Sequence, residues 1–391
     1  MNRQGCIQGF VQNVQNPMNA DMKKRLTPLM RLYHDEIPGL LQELYETPPL
    51  RRLADVGMHC GCDYSSFPLF RFRPMAEQAE RYTRDLHSMG TALIVQHFTG
   101  DLKQSAAGLL HDIATPVFAH VVDFLKGDHV CQEATEEATE EMIIGSSEIM
   151  AALKKYGLRA DEVWDYHCYP IADNPSPGLS ADRLEYTLGN FYCRGMKSLE
   201  EIRRMYESLS CVKNERGESE LAFAEEETAV EFALGALENA RMYAADEDRY
   251  CMQYLADLLK RSLEWGVLTP ESLYGTEEQV IGLLQRDERS GRLWEEYRKL
   301  SRVRASHQKP EGCYSVRVPS KLRWIDPLFQ RDGCRPVRIS EASSEVRKAI
   351  EELHSLDFDG WIYAPEGAEA AAFFLKNMQG EDCMTWKIWR R

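Results

Sequence analysis

A histidine and an aspartate stand side by side at the end of the apolar, small-residue run Ala107-Gly108-Leu109-Leu110-His111-Asp112-Ile113-Ala114. A charged group at the end of an apolar face is costly to bury unless something pairs with it. The chain supplies partners upstream, at His87 in Arg84-Asp85-Leu86-His87-Ser88-Met89-Gly90, and downstream, at Asp182 in Asp182-Arg183-Leu184-Glu185-Tyr186. Together His87, His111, Asp112 and Asp182 make a mixed nitrogen and oxygen donor set for a divalent metal ion. Such a set favours Mn, Fe, Ni, Co or Zn over Mg, with geometry deciding among them. Arg84 lies one helical turn before His87, so the two side chains can point into one cleft.

Helices must position these residues. The pattern predicts a helix from Met75 to Phe98 carrying His87, and a second from Leu102 to about Ile113 carrying His111 and Asp112. A third starts near Pro116, with Phe118, Val121, Val122 and Leu125 as its apolar stripe. Ser180 is placed to N-cap the helix bearing Asp182, after the loop Asn174-Pro175-Ser176-Pro177-Gly178. The acidic run from Glu133 to Glu141 precedes an apolar helix that ends at Gly157, and reads as a solvated helix start. Further helices are predicted over Leu199–Leu209, Thr228–Val267 and Glu277–Gln285.

At the ends the pattern changes. Residues 1–50 form a helical extension with Met22, Leu26, Leu29, Met30 and Leu32 at mixed three-and-four spacing. Residues 51–76, punctuated by Gly57, Gly61, Pro68 and Pro74, read as a long loop near a site. The main helical domain then covers 51–310. Beyond it, period-two alternation at Tyr314–Val318, Val337–Ile339 and Trp361–Tyr363, with a helix over Ser343–Leu356, predicts a small α+β lobe at 311–391. The fold class is therefore mainly α.

Composition narrows the function. The 47 Lys and Arg against 62 Asp and Glu give a formal charge of −15, which argues against a duplex nucleic-acid surface. No apolar run is long enough to span a bilayer, so no membrane partner is expected. The segment Met1–Cys6 lacks a signal-peptide core, and 11 scattered cysteines suit reduced thiols. A soluble cytoplasmic protein is the expectation. No Gly-x-Gly-x-x-Gly, P-loop or Gly-x-Ser-x-Gly element occurs in a supporting context.

The ordered pieces Arg84-x-x-His87-Ser88-Met89-Gly90, Leu109-Leu110-His111-Asp112-Ile113 and Asp182 resemble the HD superfamily of metal-dependent phosphohydrolases, and within it the deoxynucleotide triphosphohydrolase branch. Pro116-Val117-Phe118-Ala119-His120 resembles that branch's turn after the HD pair. Asp182-Arg183-x-x-Tyr186 resembles its Asp-Lys-x-x-Tyr segment, and Lys321-Leu322-Arg323-Trp324-Ile325-Asp326-Pro327 the segment opening its C-terminal lobe. The resemblance covers roughly residues 50 to 330. It implies an HD-type helical bundle, a metal held by His87, His111, Asp112 and Asp182, and hydrolysis of a nucleotide phosphate ester or anhydride. Asp112, Asp182 and His120 would then be catalytic, with Arg84, His120 and Arg183 on phosphate. Arg183 would replace the family's lysine, and Tyr186 would stack on a base or sugar, or fill core. Relatives of this type are often dimers or larger, so a homo-oligomer is expected.

Several positions depart from the family pattern. Ile113-Ala114-Thr115 follows the HD pair where relatives often have a glycine and another histidine. Thr139-Glu140-Glu141, or Gln132-Glu133 in another register, stands where relatives place a histidine before the acidic pair. Both supplementary histidines are missing, leaving His129, Glu140 or Glu141 as substitutes for proton transfer. Met58, in Met58-His59-Cys60-Gly61-Cys62, falls where relatives have a sugar-sensing Gln-Leu-Gly, and a thioether lacks glutamine's amide donors. Cys60-x-Cys62 is too short a spacing for a zinc pair, and His167-Cys168 reads as core or loop. The expected activity is metal-dependent phosphohydrolysis of a nucleotide or small phosphate ester. The alternatives are a single-metal phosphomonoesterase, or a degenerate member that binds a nucleotide as a regulatory module.

Overall fold

Two helices set at the centre of the molecule decide where everything else can pack. One begins at Arg84 and stops at Thr99, because Gly100 takes the left-handed conformation (φ 62°) that closes a helix C-terminus. The next begins at Leu102, where the Asp101 carboxylate accepts from the backbone N–H groups of Lys103 and Gln104. The computed structural model describes residues 27–73, 75, 81–126, 138–331 and 333–365. Met22 and Leu26, the Glu133–Glu137 part of the acidic run, Gln132 and His129 lie outside the described residues, as does 366–391 of the expected lobe.

In chain order the helices are α1 Pro28–Tyr33, α2 Gly39–Tyr45, α3 Pro48–Arg51, α4 Arg84–Thr99, α5 Leu102–Leu110, α6 Val121–Lys126, α7 Thr139–Gly145 and α8 Ser147–Lys155. They continue as α9 Ala181–Cys193, α10 Leu199–Glu207, α11 Glu226–Tyr243, α12 Asp246–Glu264, α13 Glu277–Arg286, α14 Glu288–Lys299, α15 Ile339–Ala342 and α16 Ser344–His354. The strands are β1 Leu209–Lys213, β2 Ser219–Phe223, β3 Arg304–Ser306, β4 Ser315–Val316, β5 Leu328–Phe329, β6 Val337–Arg338 and β7 Trp361–Tyr363. The chain is mainly helical, as its periodicity predicts.

The local differences have local causes. Helix α5 ends at Leu110 rather than Ile113, because His111 Nδ1 bonds the Gly108 carbonyl and draws it out of the helical ladder. Helix α6 starts at Val121, not near Pro116, because Phe118 and Ala119 have positive φ. The predicted helix through Gly157 divides into α7 and α8, where the Ser146 hydroxyl caps a new start. Thr228–Val267 divides likewise at Ala244-Ala245. The β1/β2 hairpin, joined in antiparallel register with Leu209 opposite Phe223, has no counterpart among the predicted elements.

Two apolar cores result. The first gathers α1, α2, α4, α5, α9, α10 and α11 around Leu29, Tyr33, Leu44, Leu93, Leu109, Leu188 and Phe232. The second gathers α6, α12, α13 and α14 around Phe118, Tyr254, Leu258, Trp294 and Tyr297. Residues after 311 enter both. Ile325, Phe329, Val346 and Leu353 join the first core, and Tyr314, Val316 and Ile362 the second. Strand β5 pairs in parallel with β2 and antiparallel with β6, while β7 lies between β3 and β4.

One buried ion pair ties these parts to the loop that leads into α9. Glu220, on β2, has no solvent exposure and accepts from Arg338, from the Leu179 backbone N–H and from the Asn214 amide. Removing its cation leaves a buried carboxylate short of a partner. Arg338→Met is expected to lower unfolding free energy by about 3 kcal/mol, measured by urea denaturation.

Candidate metal centre

Asp182 enters the site from the first turn of α9, which Ser180 caps through its hydroxyl as the sequence predicts. His87 faces it from the first turn of α4, and His111 from the turn that ends α5. His87 Nε2 lies 3.0 Å from Asp182 Oδ1, and His111 Nε2 lies 3.7 Å from the same oxygen. The two imidazoles meet edge-on with ring centres 5.1 Å apart. One donor atom from each of His87, His111 and Asp182 falls within 4.8 Å of the others.

Each imidazole is held by its far nitrogen, so the near one faces the cluster. His111 Nδ1–H donates to the Gly108 carbonyl at 2.7 Å. His87 Nδ1 donates to Glu185 Oε2 at 2.6 Å, and the Tyr82 hydroxyl donates to the same oxygen at 2.5 Å. Glu185 is almost fully buried and follows Asp182 by one helical turn. This carboxylate–histidine arrangement is the usual support for a metal-ligating imidazole. Two glycines make room for it. A Cβ on Gly90 would lie 2.6 Å from the Glu185 side chain, and one on Gly189 would lie 2.4 Å from the Tyr82 hydroxyl.

Asp112 stands in the same cluster, with Oδ2 at 3.5 Å from His111 Nε2 and 3.8 Å from His87 Nε2. Both of its oxygens already have protein donors: Arg84 at 2.8 Å on Oδ2 and the Thr115 hydroxyl at 2.8 Å on Oδ1. Arg84 is itself buried, and among the described residues its Nε has no hydrogen-bond partner. Burial alone would raise the Asp112 and Asp182 carboxyls. Arg84, His111 and His87 reverse this for Asp112, and His87, His111 and Arg183 reverse it for Asp182, so both stay well below the usual range. Burial also opposes charge on His87, but hydrogen bonds to Asp182 and Glu185 outweigh it and hold the imidazolium up to about 10.

The donor set fits a divalent cation. Two imidazole nitrogens and a carboxylate oxygen converge from three rigid helical ends, with a buried carboxylate behind one of them.

The other residues named from sequence are less uniformly placed. Arg183 donates to Asn174 Oδ1 at 3.1 Å, to the Gly178 carbonyl at 3.2 Å and to the Ser180 hydroxyl at 3.1 Å, and lies 3.1 Å from Asp173. Its guanidinium thus organises the loop before α9. His120 donates from Nδ1 to Asp123, and Arg323 lies 3.2 Å from its Nε2. Tyr186 is partly exposed on α9, one turn past Asp182. Met58 packs against the first core, and the neighbour that meets the site is Cys60, whose thiol approaches the His120 backbone N–H. Burial pushes that thiol up to about 11. Glu140 and Glu141 are exposed at the start of α7. His167 and Cys168 are exposed too, but not remote: Tyr166 packs its ring 4.9 Å from His111.

Sequence reasoning missed Glu185 and Tyr82, and the approach of Arg323 to His120. Glu185 was findable, since a carboxylate one turn after Asp182 on a capped helix shares its face. Tyr82 reaches Glu185, and Arg323 reaches His120, only through the tertiary fold.

No family model matches the chain. Over 323 residues, 81% of the chain, it is 28% identical to the uncharacterized protein YdhJ of Bacillus subtilis, spanning 92% of that protein. Over 189 residues, 46% of the chain, it is 26% identical to the metal-dependent phosphohydrolase cns2 of Cordyceps militaris, spanning 50% of it. A phosphohydrolase from Bacteroides thetaiotaomicron superposes with a TM-score of 0.57 at 18% identity, covering 84% of this chain and 96% of that one. A hypothetical protein from Aquifex aeolicus superposes with a TM-score of 0.58 at 16% identity, covering 84% and 93%. The chain shares their fold.

Glu185→Gln removes the charge behind His87 and is expected to weaken Mn affinity by about 10- to 100-fold, read by calorimetry. Proton linkage gives a second outcome. After chelation, His87 holds its proton up to about 10 against an ordinary value near 6.5, so the stability from its ion pairs is complete below about 6.5 and fades as pH rises toward 10. With Mn present the proton must leave, so the added stability grows with pH over the same window. Melting temperatures of chelated and Mn-loaded protein should therefore diverge as pH rises.

Proposed function

We propose that the protein is a metal-dependent phosphohydrolase of the HD type acting on a nucleotide phosphate ester or anhydride. The observation that carries this reading is the convergence of His87, His111 and Asp182, with the Arg84–Asp112 pair at its edge. The phosphohydrolase names of the Cordyceps relative and the Bacteroides structure support the same chemistry.

His87, His111 and Asp182 would hold the cation, with Asp112 beside them. When bound, the cation supplies Lewis acidity, lowering the pKa of a water and offsetting charge that builds on a phosphoryl oxygen. Glu185 keeps the His87 ring aimed and accepts its Nδ1 proton. Asp112 holds Arg84 at 2.8 Å, and the buried, unmatched Arg84 Nε offers a charge-assisted donor to a phosphate oxygen. Tyr186 supplies an aromatic face beside Asp182, suited to a base or sugar. Arg183 contributes by fixing the loop at 173–180, and so the start of the helix that carries Asp182.

The absent supplementary histidines leave single-metal phosphomonoester hydrolysis as a reading alongside triphosphate release. A mono-, di- and triphosphate panel assayed with Mn distinguishes the two. Asp182→Ala is expected to lose bound metal and at least about 10³-fold in kcat/KM. Asp112→Ala should lose activity as well, by freeing Arg84 from its buried partner. No Mn-dependent phosphate release from any member of the panel would favour a nucleotide-binding regulatory module instead.

A further inference from the structure

We infer that Arg323, carried in by the C-terminal segment, contacts the phosphate of the substrate, and that His120 is the positioning residue that aims it. The inference rests on the phosphohydrolase reading and adds a residue and a division of labour to it.

A guanidinium carries N–H donors and no acceptor. With Arg323 at 3.2 Å from His120 Nε2, that nitrogen must present its lone pair. The proton of the neutral ring then sits on Nδ1, where Asp123 accepts it at 2.9 Å from a fully buried position. Asp123, His120 and Arg323 therefore form a directed chain from a buried carboxylate to a guanidinium. In this chain His120 has no proton to deliver from Nε2. It acts as an acceptor that fixes where the guanidinium sits.

The backbone holds both ends of the chain still. His120 follows Phe118 and Ala119, whose φ values of 57° and 46° are costly for non-glycine residues and mark an over-determined turn. The Phe118 ring is fully buried against Trp294 and Gly61. Arg323 lies in an extended segment clamped on both sides. Before it, Arg249 bonds the Val318 carbonyl at 2.8 Å and the Ser320 hydroxyl bonds the Tyr243 carbonyl at 3.0 Å. After it, the Asp326 N–H bonds the Pro177 carbonyl at 2.9 Å, and Ile325 is buried.

Through His120 this guanidinium shares its surroundings with Arg84 and Tyr186, which border the donor set. His120 and Cys60 each lie within electrostatic reach of both Arg84 and Arg323. Tyr186 lies within reach of both Arg323 and Asp182. Arg323 thus shares the Arg84 side of His120 and Cys60, with the Asp248 carboxylate also in its field, while Arg183 is held by its own loop. Two guanidinium groups acting on the same His120 and Cys60, one of them paired with Asp112 at the edge of the donor set, suit the oxygens of a phosphoryl group, which arginine can bind bidentately.

The test uses the full chain loaded with Mn, titrated calorimetrically with inorganic phosphate and assayed on the phosphate-ester panel. Arg323→Gln is expected to weaken phosphate binding about tenfold and to raise KM more than it lowers kcat, with Mn content unchanged. Arg323→Lys, which keeps the charge but loses the fork, should fall between and guards against a folding defect in the glutamine variant. His120→Phe should reproduce the Arg323→Gln loss without adding to it in the double variant, and His120→Gln, which restores an acceptor, should recover part of it. Unchanged phosphate affinity in a folded Arg323→Gln variant would overturn the inference. So would a His120→Phe variant that keeps KM but loses one limb of the pH–rate profile, because that is the mark of a proton carrier. If phosphate affinity falls as expected while no ester is hydrolysed, the anion contact stands and the hydrolase reading falls.

Discussion

The site depends on one buried contact, the hydrogen bond between His87 Nδ1 and Glu185. It joins α4 to α9 at a point where neither side chain reaches solvent, so each charge is tolerable only because the other is there. Tyr82 donates to the same Glu185 oxygen, and Gly90 and Gly189 leave the space that both acceptor and donor occupy. A methyl group at either glycine would push against these side chains at the level of His87 and the candidate metal centre. The helix pair is therefore spaced by the needs of its polar contact as much as by its apolar packing.

Around that contact, charge is balanced in a small volume. Asp182 faces two imidazoles, and Asp112 faces Arg84 and Thr115. The balance keeps both carboxylates ionised despite burial. Among the described residues, the non-glycine positions with positive φ are Cys60, Phe118 and Ala119, and these adjoin His120. Cys60 approaches the His120 backbone N–H, and the Phe118 ring packs on Gly61. Backbone strain gathered at one place is held there by the packing of the second core, and it fixes the turn that presents His120.

The segment after residue 311 is woven into the body. Its residues divide between the two cores, and β5 extends the hairpin of β1 and β2. Glu220 then links that hairpin to Arg338 on one side and to the Leu179 N–H on the other, just ahead of the helix bearing Asp182. Through Asp326 and Ser320 the same stretch fastens the segment containing Arg323. Changes at the hairpin, far along the chain from the histidines, therefore bear on how the donor set is held.

Much of this was legible in the residues alone. The helices of His87, His111 and Asp182 follow from apolar spacing and from Ser180 as a cap, which are local, although the first begins at Arg84 rather than at Met75. The order His, His-Asp, Asp already pointed to a mixed nitrogen and oxygen donor set for a divalent metal, and its resemblance to HD phosphohydrolases implied the reaction. The break of helix before Val121, the turn of Arg183 into its own loop, and the arrival of Tyr82 and Arg323 were not readable. Each depends on what stands opposite: Pro116 through His120 against Trp294 and Gly61, Arg183 against Asn174 and Gly178, Tyr82 against Glu185. Sequence spacing determines which residues share one helical face, since that geometry repeats within a few residues. Which faces meet, and so which donor finds which acceptor across 98 or 203 residues of chain, is decided by packing in three dimensions.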